Sequence, residues 1–131
     1  MAAKRFNLKL KKRINSFSKT IEVDSDKSIS IRSFLISSIS QNISSVKNVL
    51  MSEDVLSTIK CLKKLGVDIK KKGTKEFQIY GKGLGSLFIS AKKAKLNFGN
   101  SGTLARLLIG ILATTPRVRV YFYGDSSLNK R

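Results

Sequence analysis

The chain has 131 residues, enough for one ordinary domain, and 41% of them are hydrophobic, which is enough to bury a core and too many for a disordered tail. Its 26 basic residues against 8 acidic ones give a net charge of +18, which points to a polyanionic partner or to an anionic small ligand among bystander lysines. One cysteine, Cys61, excludes an internal disulfide framework, and the lack of histidine argues against a zinc site.

The basic N-terminus alternates through Phe6, Leu8 and Leu10 and reads as a weak strand or an exposed arm. It lacks the continuous apolar run of a signal peptide, and no stretch of the chain reaches membrane-spanning length, so a cytoplasmic setting is expected. Residues 19–23 form a cleaner short strand. Asp24-Ser25-Asp26 then supplies helix-capping chemistry, and Ile29, Phe34, Leu35, Ile36 and Ile39 fall on a helical stripe from Lys27 to about Ser40. Ser44 to Met51 reads as a strand. Ser52-Glu53-Asp54 opens a second helix with acids in its first turn, Val55, Ile59, Leu62 and Leu65 follow at helical spacing, and Gly66 stops it. Val67–Lys70 and Phe77–Tyr80 alternate as strands around a turn at Lys72-Gly73-Thr74-Lys75. Residues 19–82 therefore read β-α-β-α-β-β.

The pattern then restarts. Leu87-Phe88-Ile89 and Leu96-Asn97-Phe98 read as short strands, Ser101 to about Thr114 as a strongly apolar helix, and Arg117 to Tyr123 as a strand. Phe77, Tyr80 and Phe88 follow the alternation expected of core aromatics. Gly124-Asp125-Ser126-Ser127 is a further capping sequence, so the pattern stops in mid-unit. The Lys92-Lys93-Ala94-Lys95 cluster reads as a solvated loop, and Cys61 as buried packing.

Two junctions echo each other. Asp26-Lys27-Ser28-Ile29-Ser30-Ile31-Arg32 and Asn100-Ser101-Gly102-Thr103-Leu104-Ala105-Arg106 begin 74 residues apart. Each starts with a short capping side chain, continues with small or hydroxyl residues and ends in arginine. Each lies between a strand and an apolar helix, as one unit used twice would require. A helix N-terminus leaves N–H groups unpaired and carries partial positive charge, so it attracts anions. Glycine permits close backbone approach, hydroxyls donate to phosphate oxygens, and arginine adds a bidentate contact. Two such turns facing one cleft would hold a ligand with two anionic groups.

Three motifs, Asp26-Lys27-Ser28-Ile29-Ser30-x-Arg32, Asn100-Ser101-Gly102-Thr103-x-x-Arg106 and Gly124-Asp125-x-Ser127-Leu128-x-Lys130-Arg131, resemble the EPSP synthases, the 3-phosphoshikimate 1-carboxyvinyltransferases. Ser52-Glu53-Asp54-Val55-x-x-Thr58 and Leu65-Gly66-Val67 fall where that family has similar elements. The resemblance covers nearly the whole chain, but only the N-terminal part of the family's length.

It implies an α/β (α+β) fold of repeated β-α-β-α-β-β units, with the first unit (about 19–82) and part of the second (about 83–131) present. Residues 1–23 would supply strands that pair with the family's other domain, with a hinge near Asp24–Asp26. Residues 24–131 would form a partial N-terminal domain. The implied reaction transfers the enolpyruvyl group of phosphoenolpyruvate to the 5-hydroxyl of shikimate 3-phosphate, in the pathway to chorismate and the aromatic amino acids. No cofactor and no metal are implied. The expected partners are the two small substrates, with no nucleic acid and no membrane, in a family that is usually monomeric and is the target of glyphosate.

By the resemblance, Lys27 is catalytic and meets both substrates. Ser28 and Arg32 bind shikimate 3-phosphate. Asn100, Gly102, Thr103 and Arg131 line the phosphoenolpyruvate subsite, and Arg106 supports that turn. Ile31 stands where the family usually has histidine, and Ser101 where alanine is commoner. The family's acidic catalytic pair and second lysine lie beyond Arg131, so the chain by itself is expected to be inactive. Two alternatives are a UDP-N-acetylglucosamine enolpyruvyl transferase and a basic nucleic-acid-binding module. The first carries Lys-Asn in place of Lys27-Ser28 and usually a loop cysteine that residues 114–131 lack. The second would carry a nucleic-acid motif that is absent.

Overall fold

The computed structural model describes residues 25–88, 94–116 and 118–130. The strands expected within residues 1–23, Ile89 of the expected 87–89 strand, Lys92, Lys93, Arg117 and Arg131 all lie outside them.

In chain order the elements are α1 (Lys27–Ile39), β1 (Ile43–Val46), α2 (Glu53–Lys64), β2 (Asp68–Lys71), β3 (Phe77–Tyr80), β4 (Ala94–Asn97), α3 (Gly102–Ala113), β5 (Val120–Tyr123) and a 3₁₀ turn (Leu128–Lys130). The match to the expected fold class is close, and most boundaries agree to within two residues. β3 is central in an antiparallel sheet of order β1-β3-β2, with Ile43 opposite Tyr80 on one side and Asp68 opposite Tyr80 on the other. β4 and β5 pair in parallel, Ala94 with Val120 and Asn97 with Tyr123, joined by α3.

Strand alternation puts Phe77, Ile79 and Ile69 on the buried face of the first sheet, where Phe77 meets Phe34 of α1 edge-on at 5.3 Å between ring centroids. One core runs through all three helices and both sheets, from Phe34 and Leu62 to Leu96 and Leu108. The end of α2 follows the expected glycine stop. Gly66 has φ +83, its N–H donates to Lys63 O at 3.0 Å, and Val67 N–H donates to Leu62 O at 3.0 Å, the pair of bonds of a Schellman motif.

Four expectations need correction. The strand expected over 44–51 ends at Val46, because Asn48 takes a left-handed conformation (φ 54) that turns the chain. Val49 N–H then donates to Lys75 O and Leu50 N–H to Ser30 Oγ, so this stretch is tied down as a loop. Leu87 and Phe88 form no strand, and Phe88 is exposed, with its N–H donating to Leu65 O. The apolar stripe of α1 is also misread, since Ile29 and Ile36 face outward while Ser30, Ile31, Ser37 and Ser38 are buried. Serine is tolerated there because its hydroxyl bonds back to its own helix, Ser30 Oγ to Asp26 O at 2.7 Å and Ser38 Oγ to Leu35 O at 2.6 Å. Finally, the capping residue of α3 is Ser101, not Asn100.

The passage from β3 back to α1 is tight. A Cβ on Gly81 would lie 2.3 Å from Ser40 O and 2.6 Å from Ser37 O, both backbone atoms that cannot step aside cheaply. Gly81→Ala is therefore expected to lower stability by about 1–3 kcal/mol, read as a shifted urea midpoint at unchanged slope.

Candidate anion-binding site

Three helix N-termini point into one cleft. α1 is capped by Asp26, whose Oδ1 accepts from Ile29 N–H at 2.7 Å. α2 is capped by Ser52 through Val55 N–H, and α3 by Ser101 through Leu104 N–H at 3.3 Å. The cleft, about 550 Å³, is lined by Lys27, Asp54, Asn100, Gly102, Thr103 and Arg106. Lys27 and Gly102 are the first residues of α1 and α3, and Asp54 the second of α2. The unpaired N–H groups and aligned dipoles of the three ends favour negative charge there.

Five residues from the two echoing motifs thus share one site, although they come from sequence positions more than seventy apart. Ser28 and Arg32 do not line it. They are four residues apart on α1 and so share a neighbouring face, Ser28 partly buried and Arg32 exposed. Arg131 lies outside the described residues. The shift of the α3 cap to Ser101 also breaks the register of the echo. Arg32 follows its cap by six residues and Arg106 by five, so the two arginines leave their helices about 100° apart. Ser101 is fully buried and supplies the side-chain cap of α3.

The turn before α3 is clamped on several sides. Gly99 has φ +57, and its N–H donates to Asn97 Oδ1 at 2.9 Å. Gly99 O accepts from Asp125 N–H at 2.9 Å, and Phe98 N–H donates to Tyr123 O at 2.9 Å. From the α2 side, Cys61 Sγ donates to Asn97 O at 3.2 Å. Burial pushes the Cys61 thiol up to about 11, against a smaller opposing pull from Lys64. Beside the cleft, and sharing Gly102 and Arg106 with it, lies a second, more apolar groove of about 250 Å³ that runs between Ile109, Phe122 and Leu128.

Sequence reasoning missed Asp54 as a cleft residue. Its Oδ2 is 3.0 Å from Lys27 Nζ. An acid in the first turn of α2 was legible, but its pairing with a lysine on another helix was not.

The EPSP synthase model, 3-phosphoshikimate 1-carboxyvinyltransferase, matches residues 11–131. The chain belongs to the EPSP synthase family. Members named 3-phosphoshikimate 1-carboxyvinyltransferase share 45% identity with it over 111 residues in Thermoanaerobacter sp. strain X514 (85% of this chain, 25% of that protein). They share 43% over 125 residues in Bacillus cytotoxicus (95% and 28%), and 50% over 109 residues in Alkaliphilus metalliredigens (83% and 25%). The solved EPSP synthase from Acinetobacter baumannii superposes with a TM-score of 0.75 at 36% identity, over 85% of this chain and 24% of that one. The chain therefore spans about a quarter of the length of the family members it matches.

Two outcomes follow from the site. Inorganic phosphate should shift the amide resonances of Gly102 and Thr103, and Lys27→Ala should weaken that binding by roughly fivefold, the equivalent of about 1 kcal/mol for a partly exposed charge. Stability should also fall as pH rises from 9 toward 11. The folded state keeps the Cys61 thiol neutral above its ordinary value of 9.0, so its contribution is complete below pH 9 and is lost above it. A Cys61→Ala variant should lack that component of the decline, measured by urea midpoints across the range.

Proposed function

We propose that this chain supplies the first part of a 3-phosphoshikimate 1-carboxyvinyltransferase, which moves the enolpyruvyl group of phosphoenolpyruvate to the 5-hydroxyl of shikimate 3-phosphate and releases phosphate. The observation that carries the reading is the meeting of Lys27, Asn100, Gly102, Thr103 and Arg106 in one cleft at three helix N-termini, in a chain of this family. Lys27-Ser28, where the UDP-sugar enzymes carry Lys-Asn, supports the shikimate acceptor.

In this reading the phosphoenolpyruvate lies against the start of α3. The backbone of Gly102, the Thr103 hydroxyl and the Asn100 amide meet its phosphate and carboxylate, and Arg106 adds charge at the rim. Shikimate 3-phosphate lies against the neighbouring face of α1, where Ser28 and Arg32 take its anionic groups. Lys27, between the two, stabilises charge that develops as the C–O bond to phosphate breaks. Such a preplaced cation acts more strongly on the transition state than on the ground state. The part of the reaction carried by this chain is binding and electrostatic stabilisation. Proton transfer falls to residues of the longer protein. Arg131 is assigned to the phosphoenolpyruvate clamp on the resemblance.

The test is a chimera in which this chain replaces the matching first quarter of the Bacillus cytotoxicus protein. It should release phosphate from the two substrates, and Lys27→Ala should lower kcat by about 10²–10³. The 131-residue chain alone should show no turnover. A folded chimera without activity, or turnover by the isolated chain that Lys27→Ala abolishes, would overturn the reading. In the chimera, Gly102→Ala should raise the inhibition constant of glyphosate far more than the KM for phosphoenolpyruvate, because the added methyl occupies the inhibitor's share of the pocket. Equal shifts would place the inhibitor elsewhere.

A further inference from the structure

Asp54 is out of place electrostatically. The cleft is lined by two cations and the positive ends of three helices, and Asp54 is the one carboxylate among its lining residues. Any carboxylate there repels an anionic ligand. The helix dipole of α2 does not require it, because Glu53 already supplies an exposed acid in the same turn. Asp54 differs from Glu53 in being mostly buried, with its side chain 17% exposed and Oδ2 3.0 Å from Lys27 Nζ. Its backbone is fixed, since Asp54 O accepts from the Oγ1 of the fully buried Thr58 at 2.8 Å.

Lys27 is in the opposite situation. It is the first residue of α1, where an ammonium is repelled by the positive helix end, and its long side chain is half exposed. Confining such a side chain in the cleft costs rotamer entropy that the helix end does not repay. A rigid carboxylate on a neighbouring helix supplies what is missing.

We propose that Asp54 is a positioning residue that holds the Lys27 ammonium in the cleft, against the repulsion of the helix ends, before an anion arrives. An ammonium has three donors, so one can stay on Asp54 while the others face the ligand. In this role Asp54 acts through Lys27 and not on the ligand. The proposal deepens the reading of the site given above, and only its kinetic arm rests on that reading.

The first arm uses the 131-residue chain. Side-chain ¹⁵N spectra at low temperature should show a slowly exchanging Lys27 ammonium signal, assigned by its loss in Lys27→Met. Asp54→Asn should abolish it, and Asp54→Glu should keep it. Persistence of the signal in Asp54→Asn would overturn the proposal. The second arm uses the chimera. Asp54→Asn should lower kcat at least tenfold and change the KM for phosphoenolpyruvate less than threefold, because the removed repulsion offsets the lost contact in the ground state but not in the transition state. In a Lys27→Met background the same substitution should have no further effect. A full second loss there would mean that Asp54 acts through the fold and not through Lys27. If the unsubstituted chimera is inactive, the transferase reading fails, while the ammonium signal still decides the role of Asp54.

Discussion

The site depends on how closely α1 lies against α2 and α3. Only when these helices start at nearly the same place do their N-termini share a cleft. Part of the inner face of α1 is made of buried serines, Ser30, Ser37 and Ser38, and the hydroxyls of Ser30 and Ser38 are satisfied within the helix. Ser30 also accepts from Leu50 N–H, tying the loop before α2 to the start of α1. Phe34 and Leu35 then carry the apolar contact on the same helix.

The electrostatics of the cleft follow from that packing more than from the chain's total charge. Among the described residues, Lys27 and Arg106 are the basic residues that line the cleft, and the others lie away from it. What concentrates positive potential there is geometric: unpaired N–H groups of three helices, two of them beginning in the cleft with Lys27 and Gly102. Asp54 tempers that potential and gives Lys27 a fixed partner. The turn at 97–101 is held by bonds from β5, from the segment after it and from Cys61 on α2, so its backbone is set before any ligand arrives.

Much of this was legible one element at a time. The helix of 27–39, the glycine stop at Gly66 and the hairpin of β2 and β3 followed from capping chemistry and periodicity. Reading failed where long-range contacts overrode local pattern. Ile29 and Ile36 look like core residues on periodicity, yet they face outward because the inner face is occupied by serines and Ile31. Phe88 looks like a core strand residue, yet its side chain is exposed and its N–H bonds to Leu65 O at the end of α2. The echo between the two motifs placed both at helix starts, but its register was off by one, because Ser101 and Asn100 are equally good caps in isolation and only the turn decides between them.

The sequence by itself determined the residue types of the site, their place at helix starts and the family to which the chain belongs, because capping, glycine placement and motif spacing are local properties of a chain. Only the tertiary structure decided that Lys27 and the 100–106 turn share one cleft, that Ser28 and Arg32 do not line it, and that Asp54 meets Lys27 at 3.0 Å. These are distances between separate helices. They are set by how those helices pack around a common core, and no periodicity within a single helix encodes them.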